Sequence, residues 1–91
     1  MKLAALSSFR RCVKGLSDER MAEVLEAMKR AGQAYGQPHL HAGIGLRRLG
    51  KHLECRDALD DRLISSRDGD TLVFVFYGTH QEVQAFVKHR R

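Results

Sequence analysis

The run Thr71-Leu-Val-Phe-Val-Phe-Tyr77 is the most apolar stretch of the chain, and the residues just after it restrict the folds available. Its β-branched and aromatic residues favour a strand. Gly78 breaks the run, and Thr79 and Glu82 then stand at the spacing of a capping box, in which hydroxyl and carboxylate each satisfy a free backbone N–H. Val83, Phe86 and Val87 come next at i, i+3 and i+4, so an amphipathic helix from Thr79 to about His89 packs back on the sheet. This strand-to-helix junction puts His80 in the first helical turn. An imidazole held there suits proton transfer near neutral pH. On spacing alone, a histidine just after a strand is more often an ordinary surface residue.

The remaining elements are short. Lys2 to Ser7 reads as a first strand, and Phe9, Cys12 and Val13 as one helical turn that Gly15 ends. Ser17 has the character of an N-cap, with Asp18 and Glu19 in the first turn. Met21, Val24, Leu25, Met28 and Ala31 then form an apolar stripe that stops before Gly32. From Gln33 to Gly50 glycines and Pro38 punctuate the chain and no period survives, so this stretch reads as a loop. Gly43-Ile-Gly45 lacks the spacing of a dinucleotide or phosphate loop and reads as structural. His52 to Leu59 and Arg62 to Ser66 read as strands, and Asp68-Gly69 as the tight turn into Thr71 to Tyr77. The order is strand, two helices, three antiparallel strands, helix.

A chain of 91 residues has room for one domain, because a core this small buries only roughly 60% of the surface exposed by the unfolded chain. Lys and Arg number 16 against 11 Asp and Glu, and the formal charge of +5 suits nucleic acid or an acidic protein partner. Cys12 and Cys55 are too few and too far apart for a disulfide framework or a zinc knuckle. Both lie among apolar neighbours, so reduced thiols and a cytoplasmic location are expected. The apolar start before Arg10 and Arg11 is too short for a secretory leader, and no stretch approaches the ~20 residues of a membrane span.

Three groups of residues have chemical potential. Arg47, Arg48, Lys51 and His52 put four potential cations within six residues, suited to tracking phosphates or simply to solvation. Along the following strand Leu53, Cys55 and Leu59 are expected to face one way, and Glu54, Arg56, Ala58 and Asp60 the other. Arg56 on that polar face implies an ion pair with Glu54 or Asp60, or a phosphate-binding surface. The third group is Arg62 at the start of the next strand. If the hairpins pair in this order, Arg56, Arg62 and His80 come from adjacent strand regions and can converge, which is what a catalytic site requires.

Leu53-Glu-Cys-Arg56, Asp60-Asp-Arg-Leu-Ile64, Asp68-Gly-Asp-Thr-Leu72 and Gly78-Thr-His-Gln-Glu-Val83 resemble the C-terminal half of the RelE/ParE superfamily of bacterial toxins. Cys-Arg followed by Asp60, and Gly-Thr-His, resemble the YafQ-like branch most. The resemblance implies an α+β fold of order β-α-α-β-β-β-α, a small antiparallel-rich sheet packed by an N-terminal helical hairpin and a C-terminal helix. It implies a toxin of a type II toxin-antitoxin system, an endoribonuclease that cuts mRNA at the ribosome without a metal or other cofactor. His80, Arg56, Arg62 and Asp60 match catalytic positions of the family, with Asp60 orienting an imidazole or transferring a proton.

The match is incomplete. Where many relatives carry a tyrosine near the C-terminal helix this chain has Phe86, which either stacks on an RNA base or belongs to the core. Ser65 and Ser66 stand where aromatics are usual, and His39, His41 or His52 is needed if a second imidazole completes the site. Two other readings remain: a ParE-like inhibitor that binds DNA gyrase without hydrolysis, and a non-catalytic interaction domain. Either toxin reading implies an acidic, partly disordered antitoxin as partner, with mRNA and the ribosome as further partners of the nuclease. No membrane and no small-molecule ligand is expected.

Overall fold

The computed structural model describes residues 1–35 and 47–89. In chain order they form β1 (Lys2–Ala5), α1 (Ser7–Val13), α2 (Asp18–Ala34), β2 (Arg47–Leu49), β3 (His52–Arg56), β4 (Arg62–Asp68), β5 (Thr71–Gly78) and α3 (His80–Lys88). The strands make one sheet in the order β1-β5-β4-β3-β2, antiparallel except for the parallel pair β1 and β5. The expected α+β class, the helical pair at the N-terminus and the C-terminal helix are all present.

Both faces of the sheet are covered, and β5 shows how. Leu72, Phe74 and Tyr77 join Phe9, Val24, Met28 and Ala31 in a core between the sheet and the helices α1 and α2. Val73, Val75 and Phe76 join Ile64, Val83, Phe86 and Val87 in a second cluster under α3. Two successive residues, Val75 and Phe76, share one side because the register slips: Ile64 pairs with Phe76 but Ser65 pairs with Phe74. An extra residue in one strand breaks the alternation locally. The apolar run therefore supplies both cores.

Local signals act as expected at several ends. Ser17 Oγ accepts the Arg20 N–H at 3.1 Å and starts α2, whose first turn carries Asp18 and Glu19. At the head of α3, Thr79 Oγ1 accepts Glu82 N–H at 3.2 Å while Glu82 Oε1 accepts Thr79 N–H at 2.9 Å. Gly69 turns β4 into β5 at φ +62.

Other expectations need correction. Helix α2 runs through Gly32 to Ala34, and the glycine serves packing: a Cβ there would lie 2.9 Å from Leu3 Cδ2 of β1. Leu25 is exposed, and Ala27 and Ala34 are buried in its place. The end of the expected loop is strand β2, joined to β3 by a hairpin in which Leu49 pairs with His52 and Gly50 takes φ +61. The rest of that loop, including His39, His41 and Gly43-Ile-Gly45, lies outside the described residues. Strand β3 stops at Arg56, three residues before the expected Leu59, which is exposed. The cause is Asp57, whose Oδ1 accepts N–H bonds from Leu59 at 2.9 Å and Asp61 at 3.0 Å and so folds the chain into a turn. Asp60, within that turn, sits at φ +67.

Candidate functional site

Sheet register decides which side chains of the expected site meet. Arg56 pairs with Arg62, and Arg62 pairs with Gly78, so the three form one cross-strand row at an end of the sheet. Directly paired residues point to the same face. His80 lies two residues past Gly78, as the first residue of α3. With strands about 4.8 Å apart, the row spans roughly 10 Å. Gly78 reads as a hinge in the sequence, yet it has no positive φ and lies within β5. Its smallness serves close approach: a Cβ would meet Glu82 Oε1 at 3.0 Å, Glu82 Cβ at 3.1 Å and Phe76 Cε2 at 3.2 Å. Glycine at that position lets the capping box close against the strand and holds His80 near the row.

The two arginines sit in different environments. Arg62 Nη1 donates to Glu54 Oε1 at 2.9 Å, and the side chains retain 14% and 2% exposure. This pair is diagonal across β3 and β4, and its charges largely cancel within the sheet. Arg62 Nε is buried without an acceptor among the described residues. Arg56 Nη1 instead meets Asp60 Oδ1 at 3.2 Å, with 44% and 69% exposure. An exposed pair of that kind contributes about 0–1 kcal/mol and opens readily. Arg56 is thus the accessible cation of the row, and Asp60 faces it rather than an imidazole. His80 is exposed and has no side-chain hydrogen bond or ion pair among the described residues.

The residues expected to touch RNA are divided. Arg48 and Lys51 are exposed at the β2–β3 hairpin, and for Arg47 only the backbone is described. His52 is half-buried, its ring 6.4 Å from that of Phe86 in an edge-on contact. Phe86 belongs to the second core, stacked on Phe76 at 4.4 Å and 18°. Of its two expected roles, packing is the one observed. Beside these rings a cleft of about 310 Å³ is lined by Ser8, Arg11, Cys12, Phe76 and Phe86.

On the opposite face lies a polar network that no local pattern announces. Arg20 Nη2 donates to Asp61 Oδ2 and, at 2.9 Å, to the Tyr77 hydroxyl. That hydroxyl donates to Asp57 Oδ2 at 2.8 Å and lies 3.1 Å from Asp61 Oδ2. Burial, then the bond to Asp57, pushes the Tyr77 phenol well above its ordinary range. Cys55, buried beside this network, is pushed up to about 12 by desolvation, with Glu54 and Asp57 adding to the effect. Its thiol is inert near neutral pH. The partners of Tyr77 are 16, 20 and 57 residues away, beyond the reach of any periodicity argument.

No family model matches the chain, and no curated protein matches it. A solved structure does: the conserved hypothetical protein HP0894 from Helicobacter pylori, 21% identical, with a TM-score of 0.61 over 91% of this chain and 98% of that one. The likeness is one of fold, and it spans nearly the whole of both chains. HP0894 is itself named only as a hypothetical protein, so it supplies an architecture and no activity.

Proposed function

We propose that this chain is a toxin of a type II toxin-antitoxin system, of RelE/ParE type, that acts as an endoribonuclease on mRNA. The observation that carries the reading is the row Arg56–Arg62–Gly78 with His80 immediately beyond it. An imidazole two residues past one end of the row and a solvent-facing guanidinium at the other are the groups that cleavage by the ribose 2′-hydroxyl needs, and their presence supports the reading. In that reaction the 2′-oxygen forms a bond to phosphorus and its proton passes to a base. The bond from phosphorus to the 5′-oxygen breaks, and that oxygen takes up a proton. The products are a 2′,3′-cyclic phosphate and a 5′-hydroxyl.

His80 is assigned the base and Arg56 the donor to the negative charge that develops on the phosphoryl oxygens. Arg62, paired with Glu54, adds a shielded charge and fixes the strand pair beneath Arg56. Asp60 competes with phosphate for Arg56 and returns to it when the product leaves. Proton transfer supplies about 10²–10⁴-fold in rate, and one well-aimed donor about 3–4 kcal/mol. Arg48 and Lys51, exposed at the β2–β3 hairpin, extend the positive surface for the message, and Arg47 and His52 are assigned to the same RNA-binding group. Phe86 supports that surface from the core. An acidic antitoxin that folds on the basic face is the expected partner, and the net charge of +5 supports it. The free thiols are in keeping with the cytoplasm as the place of action.

The test is induced expression of the wild type and of His80→Ala. The wild type should arrest growth. The variant should not, while keeping the wild-type circular dichroism spectrum and antitoxin binding. Cleavage of RNA by the purified protein should survive EDTA. Arrest by His80→Ala equal to that of the wild type overturns the assignment. Arrest with intact transcripts and inhibited supercoiling turns the reading toward a gyrase inhibitor.

A further inference from the structure

We infer that the network of Arg20, Asp57, Asp61 and Tyr77 is a positioning device that holds the candidate site in register from the opposite face of the sheet. The inference rests on the nuclease reading and adds residues that touch no substrate. Three of the network's members adjoin residues of the row in the chain. Asp57 follows Arg56, Asp61 precedes Arg62, and Tyr77 precedes Gly78, whose register partner is Arg62. Tyr77 and Gly78 are successive residues of β5 and face opposite ways, while Asp57 and Asp61 flank the turn that joins the strand ends at Arg56 and Arg62, so anchoring these three side chains fixes the strand ends that carry the row.

The anchoring is dense. Asp57 Oδ1 takes two backbone N–H bonds inside the turn while Oδ2 takes the Tyr77 hydroxyl at 2.8 Å. Asp57 N–H also donates to the Asp61 carbonyl at 2.9 Å and closes the turn. Arg20, from the first turns of α2, ties Asp61 to Tyr77 through a single nitrogen, Nη2. The turn so fixed includes Asp60 at φ +67, a conformation uncommon for L-residues and best tolerated by Asn and Asp, and the Asp60 carboxylate there meets Arg56. Removing the Tyr77 hydroxyl leaves the turn closed by its own hydrogen bonds but unties it from β5, and with it the placement of Arg56 and Arg62 relative to the β5–α3 junction. A misplacement of about 1 Å at a reacting centre costs on the order of 10²-fold in rate.

The test compares Tyr77→Phe, Arg20→Met and Arg20→Lys with the wild type in kcat and KM for cleavage of a short RNA, each protein first shown folded by near-ultraviolet circular dichroism at the assay temperature. Tyr77→Phe and Arg20→Met should lose about 10- to 100-fold in kcat, with KM changed less than about twofold. Arg20→Lys should recover most of the loss, since one ammonium can serve both acceptors that Nη2 serves. If Tyr77→Phe does not fold, the Arg20 pair decides, because that side chain is 36% exposed and lies outside the apolar core. Wild-type kcat in the folded variants overturns the positioning role and leaves the nuclease reading intact. A loss confined to KM overturns it too, as does a failure of Arg20→Lys to recover activity. Absence of cleavage by the wild type itself sinks the nuclease reading, and this inference with it.

Discussion

Arg56 and Arg62 are neighbours across two strands, yet their surroundings give them separable roles. Truncating Arg56 removes an exposed pair with Asp60, so Arg56→Ala should change stability by no more than about 1 kcal/mol. It should nonetheless lower RNA cleavage by about 10²-fold or more, the loss expected for one donor to developing charge. Replacing Glu54 does the reverse first. Glu54→Leu leaves the Arg62 guanidinium in the sheet without its carboxylate and should cost roughly 3–5 kcal/mol, read as a lower urea midpoint. Equal stability losses at the two positions contradict this division. Alternation alone puts Glu54, Arg56 and Asp60 on one face, so an ion pair of Arg56 with one of these carboxylates is legible in the sequence as one of two readings, beside a phosphate-binding surface. Which carboxylate it takes is settled by the turn at Asp57, which carries Asp60 back beside it.

At the scale of elements, the β5–α3 junction is where sequence and structure agree most closely. The capping box is a pattern of four adjacent residues, and its hydrogen bonds form between those same residues. Strand β2 is illegible for the opposite reason: three residues next to a glycine carry no period, and their pairing partner, not their composition, makes them a strand. The parallel pairing of β1 with β5 joins segments 69 positions apart at Lys2 and Thr71, which no local pattern can report. Nor can hydrophobic alternation show a strand ended by a carboxylate, as β3 is by Asp57. Thr79→Ala removes one side of the box and should cost about 1 kcal/mol. Gly78→Ala should cost more, about 1–3 kcal/mol, because its methyl group meets Glu82 and Phe76 at once. Since both changes act on Glu82, the double variant should lose less than the sum of the single losses, measured by urea titration. Strict additivity shows that Gly78 and the cap are independent.

For the whole molecule, two buried acids set the response to alkali. Folding raises Cys55 from 9.0 to about 12 and raises Tyr77 from its ordinary 10.0, so the folded state keeps protons that the unfolded chain releases. Their contribution is complete below pH 9.0 and is lost as pH rises toward the folded values. Stability should therefore be level with respect to these groups at neutral pH and fall above about pH 9, less steeply in Cys55→Ala, as followed by urea midpoints. A midpoint that rises with pH above 9 contradicts the sign. The central claim, that the row of arginines and His80 at one end of this sheet cuts mRNA, is tested most directly by mapping transcript ends after induced expression of the wild type and of His80→Ala. The expected result is new 5′-hydroxyl ends inside coding regions with the wild type, absent with the variant. Growth arrest accompanied by uncut transcripts contradicts it.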